Sequence, residues 1–290
     1  MFWIALLALQ AAPAAPAGPP ATDIYLADLR VAQGRVSVGV PVNVTARPGY
    51  DNQPFFLPDG RAVLYTSIRE DSQADTYRYD LERGRSVRLT TTRESEYSPT
   101  PLPDGNGFSV VRVEADSTQR LWAFDGDGTR PHPVLDSINP VGYYAWGGAH
   151  TLALFVLGTP PTLQIADTRA PSTRGAVVAQ NIGRPLQRVP GSSAIAFLQR
   201  DSLAGDWIKE VNLQTKAVTP LVRALEGAEF FAWTGGIALA ARGTKLFQWN
   251  PRRGQDWEEV ADFAIAGLTN VTRLAVSPKG DRLAIVAVPR

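Results

Sequence analysis

Short runs of β-favouring apolar residues, separated by turn residues, fill the chain from its first fifth to its end. In the clearest stretch Pro54–Leu57 is apolar and Pro58-Asp59-Gly60 makes a tight turn. Arg61–Thr66 is a second β-rich run, Thr76–Asp80 alternates after a polar loop, and Ser86–Leu89 follows a further turn at Leu81–Gly84. Proline presets φ for a turn, and Asp and Gly accept its tight or left-handed positions. Alternation with a period of two marks half-buried strands. No segment of useful length carries a helical period, and no internal linker interrupts the pattern. The chain reads as all-β.

The block then repeats. Gly60, Gly105, Gly148, Gly191, Gly236 and Gly280 recur every 43 to 45 residues. A fixed period in this range signals a repeat architecture, and four short antiparallel strands per period describe a propeller blade. Asp80, Asp125, Asp167, Asn212 and Asn250 check the register, each closing a third strand where a short side chain can accept backbone N–H groups. Asn250 comes early, so the loop before Lys245–Asn250 is trimmed. Only one strand, Arg282–Val288, fits after Gly280. Asp23–Leu29 reads as the missing third strand of that blade, and Val36–Thr45 as its fourth. The prediction is a six-bladed β-propeller closed by N-terminal strands that complete the C-terminal blade, leaving no open sheet edge.

A chain of 290 residues suits one domain of this kind. A net charge of +1 gives no global field for nucleic acid or an anionic membrane. The absence of cysteine excludes disulfides, thiolate metal sites and a cysteine nucleophile. Residues 1–9 are apolar and uncharged, and a small-residue and proline stretch runs to Ala21, with Ala15-Pro16-Ala17 as a small-x-small site. Residues 1–21 therefore read as a secretory leader ahead of a propeller over 22–290, with a short membrane anchor or a disordered tail as alternatives. The apolar run is too short to span a bilayer.

Asn52-Gln53-Pro54-Phe55-Phe56-Leu57-Pro58-Asp59-Gly60 and Tyr97-Ser98-Pro99-Thr100-Pro101-Leu102-Pro103-Asp104-Gly105 resemble the repeat of TolB-like six-bladed propellers. Ser277-Pro278-Lys279-Gly280-Asp281-Arg282-Leu283-Ala284 is similar, with Lys in place of Asp. The likeness is strong in blades 1, 2 and 6 and degenerate in blades 3 to 5. It implies a periplasmic or secreted, non-catalytic propeller with a protein or peptide partner in the cell envelope. TolB carries an α/β domain ahead of its propeller. Blade strands here start at Asp23, so that domain is not expected, and the family's envelope role is not carried over.

In a propeller the first strand of each blade lines the channel. Counting back from the six glycines brings Asp51, Glu96, Asn139, Asn181, Arg184, Glu229 and Arg273 to one expected central ring, with Tyr50, Tyr97, Tyr143 and Tyr144 as aromatic contacts. Mixed carboxylate and guanidinium character suits a peptide, since Arg pairs bidentately with carboxylates. A merely solvated channel is the bland alternative. Glu96, Asn139, Asn181 and Glu229 also offer hard oxygen ligands for Ca²⁺, the basis of an alternative reading as a calcium-dependent propeller hydrolase or lactonase; otherwise no cofactor is expected. His132 and His150 fall outside the ring, Gly191-Ser192-Ser193 is turn chemistry, and Asp125-Gly126-Asp127-Gly128 is a hairpin turn without the later ligands of a calcium loop. Trp122, Trp207 and Trp249 fall in third strands and suit packing between blades. The chain reads as a monomeric binding protein.

Overall fold

A computed structural model describes residues 19–289. The second run of each repeat forms a strand buried along nearly its whole length: Ala62–Ile68, Gly107–Val113, Thr151–Val156, Ala194–Gln199, Ile237–Arg242 and Arg282–Pro289. These runs are continuously apolar because both faces of a blade are covered by neighbouring blades. Outer strands such as Arg85–Arg88 are half exposed and alternate instead. Burial thus falls from the middle of each blade to its rim, and the amino-acid pattern follows it.

Six sheets result. Blade 1 is ordered Tyr50–Phe56, Ala62–Ile68, Ala74–Asp80, Arg85–Arg88 from the inside out, and blades 2 to 5 repeat this antiparallel meander. Blade 6 starts from Leu268–Val276 and Arg282–Pro289 and is completed by Asp23–Ala32, followed on its outer edge by Arg35–Val38 and Val42–Asn43. Asp23 to Asp28 pair antiparallel with Ala287 to Arg282. The trimmed loop is present: Arg242 pairs with Lys245 across a turn at Gly243. Among the described residues no helix is long and apolar enough to cross a membrane. The leader read at residues 1–21 lies almost entirely outside the described residues.

The core is not single. Each apolar cluster fills one wedge between adjacent blades: blades 6 and 1 around Ile24, Tyr65 and Val286, blades 2 and 3 around Leu121 and Leu154, blades 3 and 4 around Leu163 and Phe197, blades 4 and 5 around Phe231 and Trp249, and blades 5 and 6 around Leu239 and Ile285. The wedge between blades 1 and 2 has the smallest apolar cluster, built on Leu64, Phe108, Val110 and Phe124. Buried polar residues complete it, among them Thr66, Thr76, Thr90 and Glu96.

Four of the six periodic glycines are required by backbone conformation. Gly60, Gly105, Gly191 and Gly280 have φ of 72–76°, and a side chain at Gly60 would meet no atom within 4 Å. Gly107 is the opposite case: a Cβ there would stand 2.0 Å from the Phe124 carbonyl oxygen of the paired strand. Gly60→Ala is therefore expected to cost about 1 kcal/mol, and Gly107→Ala more than about 3 kcal/mol, as read by denaturant unfolding. Equal costs at the two positions would refute this distinction.

Candidate functional site

An innermost strand presents its edge to the channel, and its side chains alternate between the two adjacent wedges. This alternation is broken where the strand bulges. Pairing to the second strand skips between Asn52 and Phe55, Tyr97 and Thr100, Val141 and Tyr143, Ile182 and Leu186, and Thr269 and Arg273. Gln53 and Ser98 take φ of 57° and 56° at these bulges. Pro54, Pro99 and Pro185 follow directly, and proline is tolerated because the innermost strand is a sheet edge with no partner on the channel side.

Residues at the bulges stand between two cavities. Gln53, Tyr143 and Arg184 border both, one of about 1370 Å³ that opens among the glycine hairpins and one of about 520 Å³ toward Tyr50, Tyr97 and Leu157. Gln53 is held by accepting hydrogen bonds at Oε1 from Thr66 Oγ1 (2.9 Å) and the Ser98 N–H (2.7 Å). From the neighbouring blade 6, the Arg273 guanidinium stacks on Phe230 at 3.7 Å from the ring centroid and donates to the Tyr143 hydroxyl at 3.0 Å. Among the described residues Arg273 has no carboxylate partner. Glu229 accepts from the Arg184 N–H at 3.2 Å and forms ion pairs with Arg200 and, at 3.5 Å, with Arg184. Burial acts to raise the Tyr143 phenol, but the charges of Arg273 and Arg184 carry it below its ordinary value. At Tyr50 burial prevails over the same two charges, which reach it without a hydrogen bond, and pushes its phenol up to about 12.

The sequence-predicted ring is therefore divided. Arg184, Arg273, Tyr143 and Phe230 meet at the channel, with Tyr50 and Tyr97 in the smaller cavity. Tyr144 lines the wide cavity while its hydroxyl donates to the Ser98 carbonyl (3.0 Å) and lies 2.9 Å from Ser109 Oγ across the wedge of blades 2 and 3. Asp51 and Glu96 are fully buried and line neither cavity. Asp51 accepts from Arg47 at 2.9 Å, and burial still pushes its carboxyl up. Glu96 accepts from Thr92, its Oε2 has no partner, and burial pushes its pKa up to about 7. Asn139 precedes a cis proline in an exposed loop, and Asn181, at φ 55°, donates to the Arg200 carbonyl at 3.0 Å.

These placements do not assemble a calcium site from Glu96, Asn139, Asn181 and Glu229. Glu96 is enclosed in a wedge, Glu229 is taken up by arginines, and among the described residues no three carboxylate or histidine side chains gather closely enough to hold a metal ion. Phe230, the platform for Arg273, was missed because it follows the counted position Glu229, where Pro54 and Pro99 follow Gln53 and Ser98 in blades 1 and 2.

No protein-family model matches the chain. Among solved structures it is similar to a protein of Agrobacterium tumefaciens assigned to TolB, with a TM-score of 0.71 and 15% identity over 94% of this chain and 100% of that one. It is similar to TolB of Acinetobacter baumannii with a TM-score of 0.56 and 14% identity, covering 92% of this chain but 64% of that one. A chain of a nidogen–laminin complex gives a TM-score of 0.61 at 14% identity over 92% and 98% of the two chains. The fold is thus that of the TolB-like six-bladed β-propeller.

Proposed function

We propose that this propeller is a non-catalytic binding platform that holds a protein or peptide partner through its channel, in the cell envelope. The observation that carries this is the Arg273 guanidinium, stacked on Phe230, bonded to Tyr143 and facing the channel without a carboxylate. Such a group is preorganised and partly desolvated, so a ligand carboxylate gains a charge-assisted bond at little ordering cost. Histidine chemistry has no part in this reading. His132 and His150 line neither cavity. The leader pattern at residues 1–21 and the likeness to TolB proteins support the envelope location.

A peptide array probed with the protein tests the reading. Captured peptides are expected to compete with one another, and the double variant Arg184→Glu/Arg273→Glu is expected to weaken them by about tenfold or more. Its thermal unfolding should stay close to that of the wild type, because neither side chain is fully buried. Unchanged capture by a folded double variant would move the site to the lateral surface.

A further inference from the structure

The wide cavity has a charge the whole chain does not. Among the described residues Arg30, Arg184, Arg188, Arg252, Arg273 and Lys279 line it, against the single carboxylate of Asp281. Asp281 is itself engaged, accepting from Ser277 Oγ at 2.7 Å. Among the described residues only Arg184 of the six cations has an ion-pair partner, Glu229 at 3.5 Å. Arginines elsewhere are commonly paired, as Arg88 is with Asp75, Arg112 with Glu94 and Arg120 with Glu114. In a chain of net charge +1 this is a local concentration of unneutralised cations. A concave, low-dielectric wall focuses their field at one mouth.

We infer that the partner enters from the face of the glycine hairpins and is an acidic, extended polypeptide segment. This rests on the channel reading above and adds the mouth and the ligand chemistry. Lys279 stands on the hairpin tip of blade 6, Arg188 ends the strand that leads to Gly191, and Arg30 and Arg252 come from the side of blades 5 and 6. The tips of blades 1 and 2 carry Asp59 and Asp104, so the cations gather on the side of blades 4 to 6. Arg184 and Arg273 wait deeper in, beside Gln53 and Tyr143 where the two cavities meet. The walls between the cations are prolines and aromatics, including Pro101, Pro190, Phe55, Trp146 and Trp233. Aromatic and proline surfaces accept extended peptide backbone. One face of the Arg273 guanidinium is covered by Phe230 and one donor is held by Tyr143, so its free edge is left for a planar carboxylate.

Fluorescence anisotropy with a labelled hexaglutamate peptide tests this, beside a neutral Gly-Ser hexapeptide and a six-nucleotide thymidine oligomer. Hexaglutamate is expected to bind at least about tenfold tighter than either comparator, and more weakly as salt rises from about 20 mM to about 150 mM. Arg252→Glu/Lys279→Glu, both exposed positions, should weaken it by about tenfold or more, and Arg93→Glu, in the loop leading into blade 2, should leave it unchanged. Equal binding of the oligonucleotide, no preference over the neutral peptide, or mouth variants that bind like the wild type would each overturn the inference. If hexaglutamate fails while array peptides are still lost in Arg184→Glu/Arg273→Glu, the acidic-ligand inference falls and the channel reading stands. If array capture is also indifferent to that double variant, both fall.

Discussion

A chain lacking residues 19–33 is expected to lose cooperative unfolding and to aggregate at concentrations where the full chain is soluble. The segment contains Asp23–Ala32, the strand that closes the ring against Arg282–Pro289. Its buried side chains serve two wedges. Ile24 packs with Tyr65 and Val286, and Tyr25 and Leu29 pack with Leu239 and Ile285. Burying three such side chains is worth roughly 5–9 kcal/mol, which is comparable with the whole net stability of a domain, about 5–15 kcal/mol. Truncation also strips the paired edge from Arg282–Pro289 and leaves a template for other chains. Refolding with a synthetic peptide of residues 19–33 is expected to restore a cooperative transition by circular dichroism. A truncated chain that melts like the full one would show that closure contributes little.

Glu96→Gln is expected to flatten the pH dependence of stability between pH 5 and 8 and to raise stability at pH 8 by at most about 3 kcal/mol. Burial lifts the folded-state pKa from an ordinary 4.5 to about 7. The folded protein therefore holds this proton more tightly than the unfolded chain. The stabilisation this provides is complete below 4.5, shrinks as pH rises and is gone above about 7. Above that the wedge between blades 1 and 2 carries a buried charge with one oxygen unpartnered. Asp51 and Asp75 are raised in the same direction, first by burial, so part of the slope persists in the variant. Denaturant melts across this range measure it, and coincident profiles for variant and wild type would refute it.

Fold and site were not equally legible in the sequence. The blade count, the closing strand and the trimmed Gly243 turn follow from repeating turn chemistry, because Asp59-Gly60 and its counterparts act locally and carry their meaning in the residues themselves. The channel depends on the direction of single side chains on innermost strands. Counting from the glycines put Asp51 in the ring, but beside the bulge it stays in a wedge, and Gln53, two residues on, borders the channel. Glu96 and Ser98 divide in the same way. Positive φ at a glutamine or serine leaves no signature in composition. The mouth cations were hidden for another reason: Lys279 stands inside Pro278-Lys279-Gly280, where it reads as a turn residue.

The six wedges have a consequence for how this molecule holds together. With an open channel at the axis, no cluster of side chains is common to all blades. Stability is then a sum of neighbour terms taken around a circle, and cooperativity comes from closure instead of a shared centre. A loop of links fails at its weakest member. The joint of blades 1 and 2, with the smallest apolar cluster, leans on buried polar groups, so its contribution falls as pH rises through about 7 and Glu96 ionises.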